Sequence, residues 1–373
     1  MRQIRDNSYY SGFALAHSMI IFLLLTLCAI GLVLLYSAAG GSLNPWVKKQ
    51  FYVLLLFLPL IYVIRYIDTS FIFNSAYYIY FFCLFLLVMA EVLGHYAMGA
   101  QRWIRFGMIN LQPSEFMKIA MVIMLAHYFH EMHSSQILKL KFLLMPIAML
   151  LLPVFLILKQ PNLGTAIITL AIAAGIFFAS GVRLVFFAVP IIAAIASLPI
   201  IWNLLHAYQK RRIMIFLNPE SDLLGAGYNI MQSKIAIGSG GFRGKGLLNG
   251  TQNQLSFLPE KHTDFIFTLL AEEAGFMGCM FVLLLYTLLI LCCYYIALST
   301  RHQFGRLVVC GIATMLFAHI FVNVGMVSGM LPAVGIPLPF LSYGGSNLGV
   351  MLLGFGLVLN IQKHQKHMLN QEI

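Results

Sequence analysis

The densest set of groups able to act together chemically in this 373-residue chain is the run Leu258-Pro259-Glu260-Lys261-His262-Thr263-Asp264-Phe265-Ile266-Phe267. It puts a carboxylate, an imidazole and an ammonium where a long polar segment gives way to an apolar one. Such a set suits proton transfer and the holding of an anion. Thr263 or Asp264 taken alone would serve as a helix N-cap, but capping does not account for the whole run. Glu115 and Lys118, three residues apart at the start of an apolar stretch, share one helix face and can pair. Ionisable groups at membrane depth cost about 2.5 to 3.5 kcal/mol each on insertion scales, so such a pair either joins two helices or orients a substrate.

Other constellations carry less. Glu272 and Glu273 follow Asp264 by about two turns and point to different faces, so at most one can share a cavity with it and anchoring to another helix is their expected role. His127, His130 and His133, beside Glu131, have the types of a ligand row, but their spacing rotates off one face. Asn249-Gly250-Thr251 is a glycosylation sequon of a kind that chance often supplies. Cys28, Cys83, Cys279, Cys292, Cys293 and Cys310 all lie inside apolar runs, without metal spacing or loop positions suited to disulfides, and read as packing residues.

The elements that must position these groups are membrane helices. Apolar residues make up 61% of the chain and charged ones 9%, and the mean hydropathy is +0.88, far from soluble composition. About ten runs approach the length needed to cross a bilayer, near 13–37, 50–66, 71–93, 114–130, 142–159, 163–181, 184–205, 265–298, 306–329 and 343–361. The first is too long for a signal-peptide core and reads as a retained helix. The run after Asp264 is long enough to be tilted or to project from the membrane. The fold class is therefore an all-α integral membrane protein, a single polytopic domain over 1–373.

An even number of spans puts both termini on one side. That side's loops collect Arg2, Arg5, Arg65, Lys139, Lys141, Arg183, Arg301, Arg306, Lys363 and Lys366, against Lys48, Lys49, Arg102, Arg105 and Lys159 in the opposite short loops. The termini are then cytoplasmic. The segment 207–264, between spans seven and eight, falls on the outer face and is far longer than a connector needs. Apolar anchors such as Ile213, Ile215, Phe216, Ile235, Ile237, Leu255, Phe257 and Leu258 argue that it is ordered, with short amphipathic helices near Tyr208–Leu217 and Tyr228–Ile237. A second irregular stretch, near 330–346, carries Pro332, Pro337 and Pro339 before Ser342-Tyr343-Gly344-Gly345-Ser346, and reads as a re-entrant loop. The formal charge of +11 is spread between spans and forms no stripe with aromatics, so anionic lipid is the expected partner and nucleic acid is excluded.

These residues resemble a known family, the SEDS proteins of shape, elongation, division and sporulation. The resemblance rests on Gln101-Arg102-Trp103-Ile104, Gln112-Pro113-Ser114-Glu115-Phe116-Met117-Lys118, Lys159-Gln160-Pro161-Asn162-Leu163-Gly164-Thr165 and the run from Gln232 to Gly241. It continues through Pro259 to Phe267 and Pro337-Leu338-Pro339-Phe340-Leu341-Ser342-Tyr343-Gly344-Gly345-Ser346. The run from Gly246 to Gln254 looks like the elongation type rather than the division type. Asn162 and Asn218 stand where the family often has Asp, which puts a charge-dependent role there in doubt.

What the resemblance implies is a peptidoglycan glycosyltransferase of the bacterial inner membrane, working on its outer face during lateral cell-wall elongation. It implies lipid II and the nascent glycan strand as ligands, and a class B penicillin-binding protein transpeptidase and other elongation-machinery membrane proteins as partners. The family's essential aspartate falls on Asp264. Because the sugar leaves with a lipid diphosphate, the chemistry asks for a base and for cations rather than for two carboxylates. Asp264 is the expected base, with Arg102, Arg212, Lys261 and Lys118 as diphosphate cations. Glu115, His262, Thr263, Ser342, Gly344 and Gly345 are further substrate-binding candidates. A divalent cation, Mg2+ or Mn2+, bridging Asp264 and the diphosphate is chemically reasonable, although no closed ligand set is present. A lipid II flippase and a non-catalytic scaffold are the alternatives; neither needs a base at Asp264.

Overall fold

A computed structural model describes residues 2–97, 100–106, 109–197, 202–203, 207–222, 225–251 and 261–365. The anchors Leu255, Phe257 and Leu258, the Pro259-Glu260 pair and the end of the Gly246 to Gln254 run lie outside the described residues. The helices are α1 Arg2–Ala38, α2 Trp46–Tyr66, α3 Thr69–Asn74, α4 Ala76–Leu93, α5 Pro113–His130, α6 Ser134–Ile137, α7 Leu140–Lys159, α8 Leu163–Ser180 and α9 Val185–Ala196. They continue with α10 Ala207–Leu217, α11 Ala226–Gly240, α12 Ile266–Ser299, α13 Gln303–Val327 and α14 Gly345–His364.

Among the described residues, eight helices are long and apolar enough to cross a membrane: α1 from Ala16, α2, α4, α7, α8, α12, α13 and α14. α5 matches α4 in length, 18 residues, but carries the polar groups expected of an interior helix and is buried along nearly its whole surface. The run near 184–205 is described as α9, with part of the rest outside the described residues. α5, α13 and α14 form the interior, whereas α2 and α4 turn Tyr52, Leu55, Tyr78, Phe82 and Phe85 outward, as lipid-facing helices do. α2 packs along α14, α8 along α13, α4 along α5, and both α11 and α1 along α12.

The all-α expectation needs one addition. Short strands β1 His95–Ala97, β2 Ala100–Phe106 and β3 Ile109–Leu111 form a small antiparallel sheet, with His95 opposite Trp103 and Ile104 opposite Leu111. It feeds directly into α5 and places Arg102 on β2. The expected amphipathic helices of the long segment are present as α10 and α11.

α12 is not one continuous helix: it is two helices meeting at Gly275, whose φ of 66° and ψ of −163° leave the helical region. A break frees backbone groups that must find partners in a dry interior. The segment just after α11 supplies partners for four of them. Lys245 and Gly246 N–H groups donate to the Glu272 and Glu273 carbonyls at 3.0 Å each, and Phe276 and Met277 donate to Gly241 and Phe242 carbonyls at 2.9 and 3.2 Å. Gly244 permits the approach, since a Cβ there would stand 2.1 Å from the Glu273 carbonyl oxygen. The side chains act as anchors too: Glu272 meets Lys245 at 2.7 Å and Glu273 accepts a bond from Ser37 on α1.

The irregular stretch between α13 and α14 folds back into the bundle. Val334, Ile336, Leu338, Phe340 and Leu341 are buried, and α1 comes close enough at Gly31 that a Cβ there would overlap the Phe340 carbonyl. The Pro339 carbonyl accepts a hydrogen bond from the buried Tyr286 hydroxyl on α12. The backbone that the prolines free is thus satisfied by protein rather than exposed to lipid.

Candidate active site

Asp264 stands two residues before α12, at the start of its first half, which is buried from Ile266 to Glu273. The N-cap is Phe265, without a side-chain cap, so neither Thr263 nor Asp264 takes the capping position. What fixes this entry is its backbone. Three successive carbonyls are each held by a different group: His262 by the Tyr343 N–H at 2.8 Å, Thr263 by the Ser342 hydroxyl at 2.6 Å, and Asp264 by Asn323 Nδ2 at 2.8 Å. The same Asn323 nitrogen donates to the Ile336 carbonyl at 2.7 Å.

The irregular segment therefore lies against the entry of α12 like a second strand. Its Gly335, at φ 69°, faces the acid: a Cβ there would sit 3.1 Å from Asp264 Oδ2. A left-handed residue without a side chain is what allows the carboxylate to lie there. Asp264 itself is half-buried.

Ser342 accepts from the Leu338 N–H at 2.8 Å while donating to Thr263, and its carbonyl receives Gln50 Nε2 of α2 at 3.1 Å. Gln50 Oε1 accepts from the Gly344 N–H at 3.3 Å. Ser342 thus braces the acid's entry segment through its hydroxyl, Gly344 ties the irregular segment to α2 through its N–H, and Gly345 opens α14. The His262 ring stacks on Trp46 with centroids 4.2 Å apart and planes at 13°, with Tyr343 on another side at 5.9 Å. Lys261 is half-buried, and that desolvation pushes its ammonium pKa below the ordinary lysine range.

Glu115 and Lys118 do pair, at 2.9 Å, and at 5% and 0% exposure they are closed off from solvent. Lys118 also meets His319 Nε2 at 2.9 Å, and Asn347 Nδ2 donates to Glu115 at 3.0 Å. This knot joins α5, α13 and α14 just behind the segment that braces Asp264. The sheet carrying Arg102 ends at the same level, because the Gln112 N–H donates to Ser346 Oγ at 3.1 Å. Arg102 and Arg212, on β2 and α10, are both half-buried. The structure brings Lys261, His262, Thr263, Ser342 and Gly344 around Asp264, and sets Glu115 and Lys118 one layer deeper.

Sequence reasoning missed several members. Asn323, His319 and Asn347 are polar residues inside apolar runs, and that oddity was the available signal. Gln50 and Trp46 lie more than 200 positions from their partners and gave no local signal. Lys234 lies on α11. Its stem lies across Gly329, at the start of the irregular segment, where any Cβ would collide with it. Asn162 caps α8 by accepting from the Thr165 N–H at 3.4 Å, a task that needs no charge.

The model of the cell cycle protein family of FtsW, RodA and SpoVE matches residues 17–367. The chain belongs to this family. The SEDS resemblance of the motifs therefore holds over nearly the whole length. Among curated relatives, the peptidoglycan glycosyltransferase MrdB of Escherichia coli K12 is 42% identical over 347 residues, covering 93% of each chain. Among solved structures, a chain of a peptidoglycan synthase complex that coordinates polymerization and crosslinking superposes with a TM-score of 0.82 at 30% identity, over 94% of this chain and 98% of that one. The rod shape determining protein RodA of Thermus thermophilus gives 0.71 at 28%, over 94% and 97%. This SEDS member is accordingly a multi-pass protein of the bacterial inner membrane.

Proposed function

We propose that this SEDS protein is a peptidoglycan glycosyltransferase that polymerises lipid II during lateral wall elongation, with Asp264 as general base. The observation that carries the reading is the half-buried carboxylate held across Gly335 by an entry segment whose three carbonyls are all bound. A group fixed in this way loses little freedom when substrate arrives, which is what general-base catalysis asks of it.

In the proposed step the 4-hydroxyl of the acceptor's terminal glucosamine attacks the anomeric carbon of the donor sugar. Asp264 accepts the hydroxyl proton, the new glycosidic bond forms with inversion from α to β, and undecaprenyl diphosphate departs with the bonding pair. Lys261 suits the leaving group: burial disfavours its charge, and an incoming diphosphate offsets that cost. Arg102, Arg212 and the exposed Lys234 are further cations for that group. The Trp46-His262 stack offers the aromatic surface near the acid. The reaction is assigned to the outer face, with both termini cytoplasmic, and a class B penicillin-binding protein is the proposed transpeptidase partner, in line with the synthase-complex neighbour.

The described residues do not fit a resident divalent metal, since no three His, Cys, Asp or Glu side chains come together among them. A Mg2+ or Mn2+ ion is proposed only as a companion of the substrate diphosphate. EDTA should then slow polymerisation, with recovery on adding either ion, while the melting temperature of the substrate-free protein stays unchanged. A melting temperature that falls with EDTA would point instead to a protein-held ion.

The reading as a whole is tested by incubating the purified protein, with and without a class B partner, with labelled lipid II and resolving glycan chains on a gel. Polymer is expected. Lipid II that crosses liposome bilayers with no polymer formed would make the protein a flippase, and neither outcome would leave it a scaffold.

A further inference from the structure

Asn323 lies on α13, fully buried, one turn from His319 and 59 positions from Asp264 in sequence. Both protons of its amide are used, one on the Asp264 carbonyl at 2.8 Å and one on the Ile336 carbonyl at 2.7 Å. Its Oδ1 is buried and makes no hydrogen bond. An amide in a membrane helix whose acceptor goes unsatisfied is costly, so what the position gains comes from its two N–H groups.

The two carbonyls belong to the two chain segments that flank the acid. One is Asp264's own; the other follows Gly335, whose missing side chain leaves room for Asp264 Oδ2. A single nitrogen thus sets the distance between the carboxylate-bearing backbone and the wall opposite. Serine has one proton to give, aspartate at neutral pH none, and leucine has the same branching without bonding to either carbonyl.

We propose that Asn323 is a positioning residue for the transferase reaction, holding Asp264 and the Gly335-Ile336 wall at the spacing from which the carboxylate reaches the acceptor hydroxyl. The proposal rests on the reading of Asp264 as the base. It acts through that base, so its effect falls on turnover rather than on binding, and it disappears when the base is gone.

The test is a double-mutant cycle with Asn323→Leu and Asp264→Asn, assayed with labelled lipid II per folded protein and checked by thermal melting in the same detergent. Asn323→Leu should lower kcat by about 10- to 100-fold, the scale of a misplaced reacting group, with KM within about two-fold of wild type. In the Asp264→Asn background it should cost no more than about two-fold further, because groups acting as one unit are not additive. A kcat for Asn323→Leu within two-fold of wild type, or equal losses in both backgrounds, would overturn the inference. If Asp264→Asn itself retains wild-type activity, the base assignment fails, which is a separate result. Should Asn323→Leu not fold, Gly335→Ala reads the same spacing from the opposite wall: kcat is expected to fall at constant KM, and an unchanged kcat overturns the inference.

Discussion

Asp264→Asn should leave a folded protein that still binds labelled lipid II while its glycan product falls by about 10²- to 10⁴-fold, the usual worth of a general base. Stability should survive because the entry to α12 is held through the carbonyls of His262, Thr263 and Asp264, which the substitution keeps. Binding should survive because diphosphate contacts come from cations such as Lys261. What is lost is the ability to accept a proton, since an amide nitrogen stands where a carboxylate oxygen was. Asp264→Glu keeps the group but moves it one methylene away from the position fixed across Gly335, so it should rescue only part of the rate. The measurement is product length and amount on a gel beside a binding assay. Equal product from wild type and Asp264→Asn would sink the catalytic assignment, and lost binding would place Asp264 in recognition instead.

The membrane class and most spans were legible because hydropathy is a bulk property that needs no tertiary information. The helices of the long segment were legible from anchors at helical spacing, and the Glu115-Lys118 pair from a three-residue interval. The break in α12 was hidden because Gly275 sits in an apolar run, where glycine is common, and nothing local announces that residues 241–246 will take up the freed backbone groups. The sheet at 95–111 was missed because two of its three strands are only three residues long, too short for a periodic signal. The brace around Asp264 was the least legible part. Gln50 and Ser342 lie 292 positions apart and Asn323 and Asp264 59 apart, so the contacts that fix the acid exist only once the chain is folded. Sequence could point to the acid, and only the packing could say what holds it.

Lys118→Met should lower the stability of the protein by about 3 to 5 kcal/mol, because it leaves the Glu115 carboxylate in a dry interior without its counter-charge. Asn347 would remain as a donor, but one neutral N–H does not replace an ammonium at 2.9 Å. The loss should read out as a lower melting temperature in detergent. Adding Glu115→Gln removes the orphaned charge, and much of the stability should return, since an ion pair replaced as a whole is often close to neutral. The double variant also separates the two roles the pair can have. Lys118 is closed off from solvent and tied to His319, which Asn347 also meets, behind the segment that braces Asp264, so a structural pin predicts that polymerisation returns together with stability. Polymerisation that stays lost in a stably folded double variant would mean that the knot opens and that Lys118 reaches the substrate during turnover.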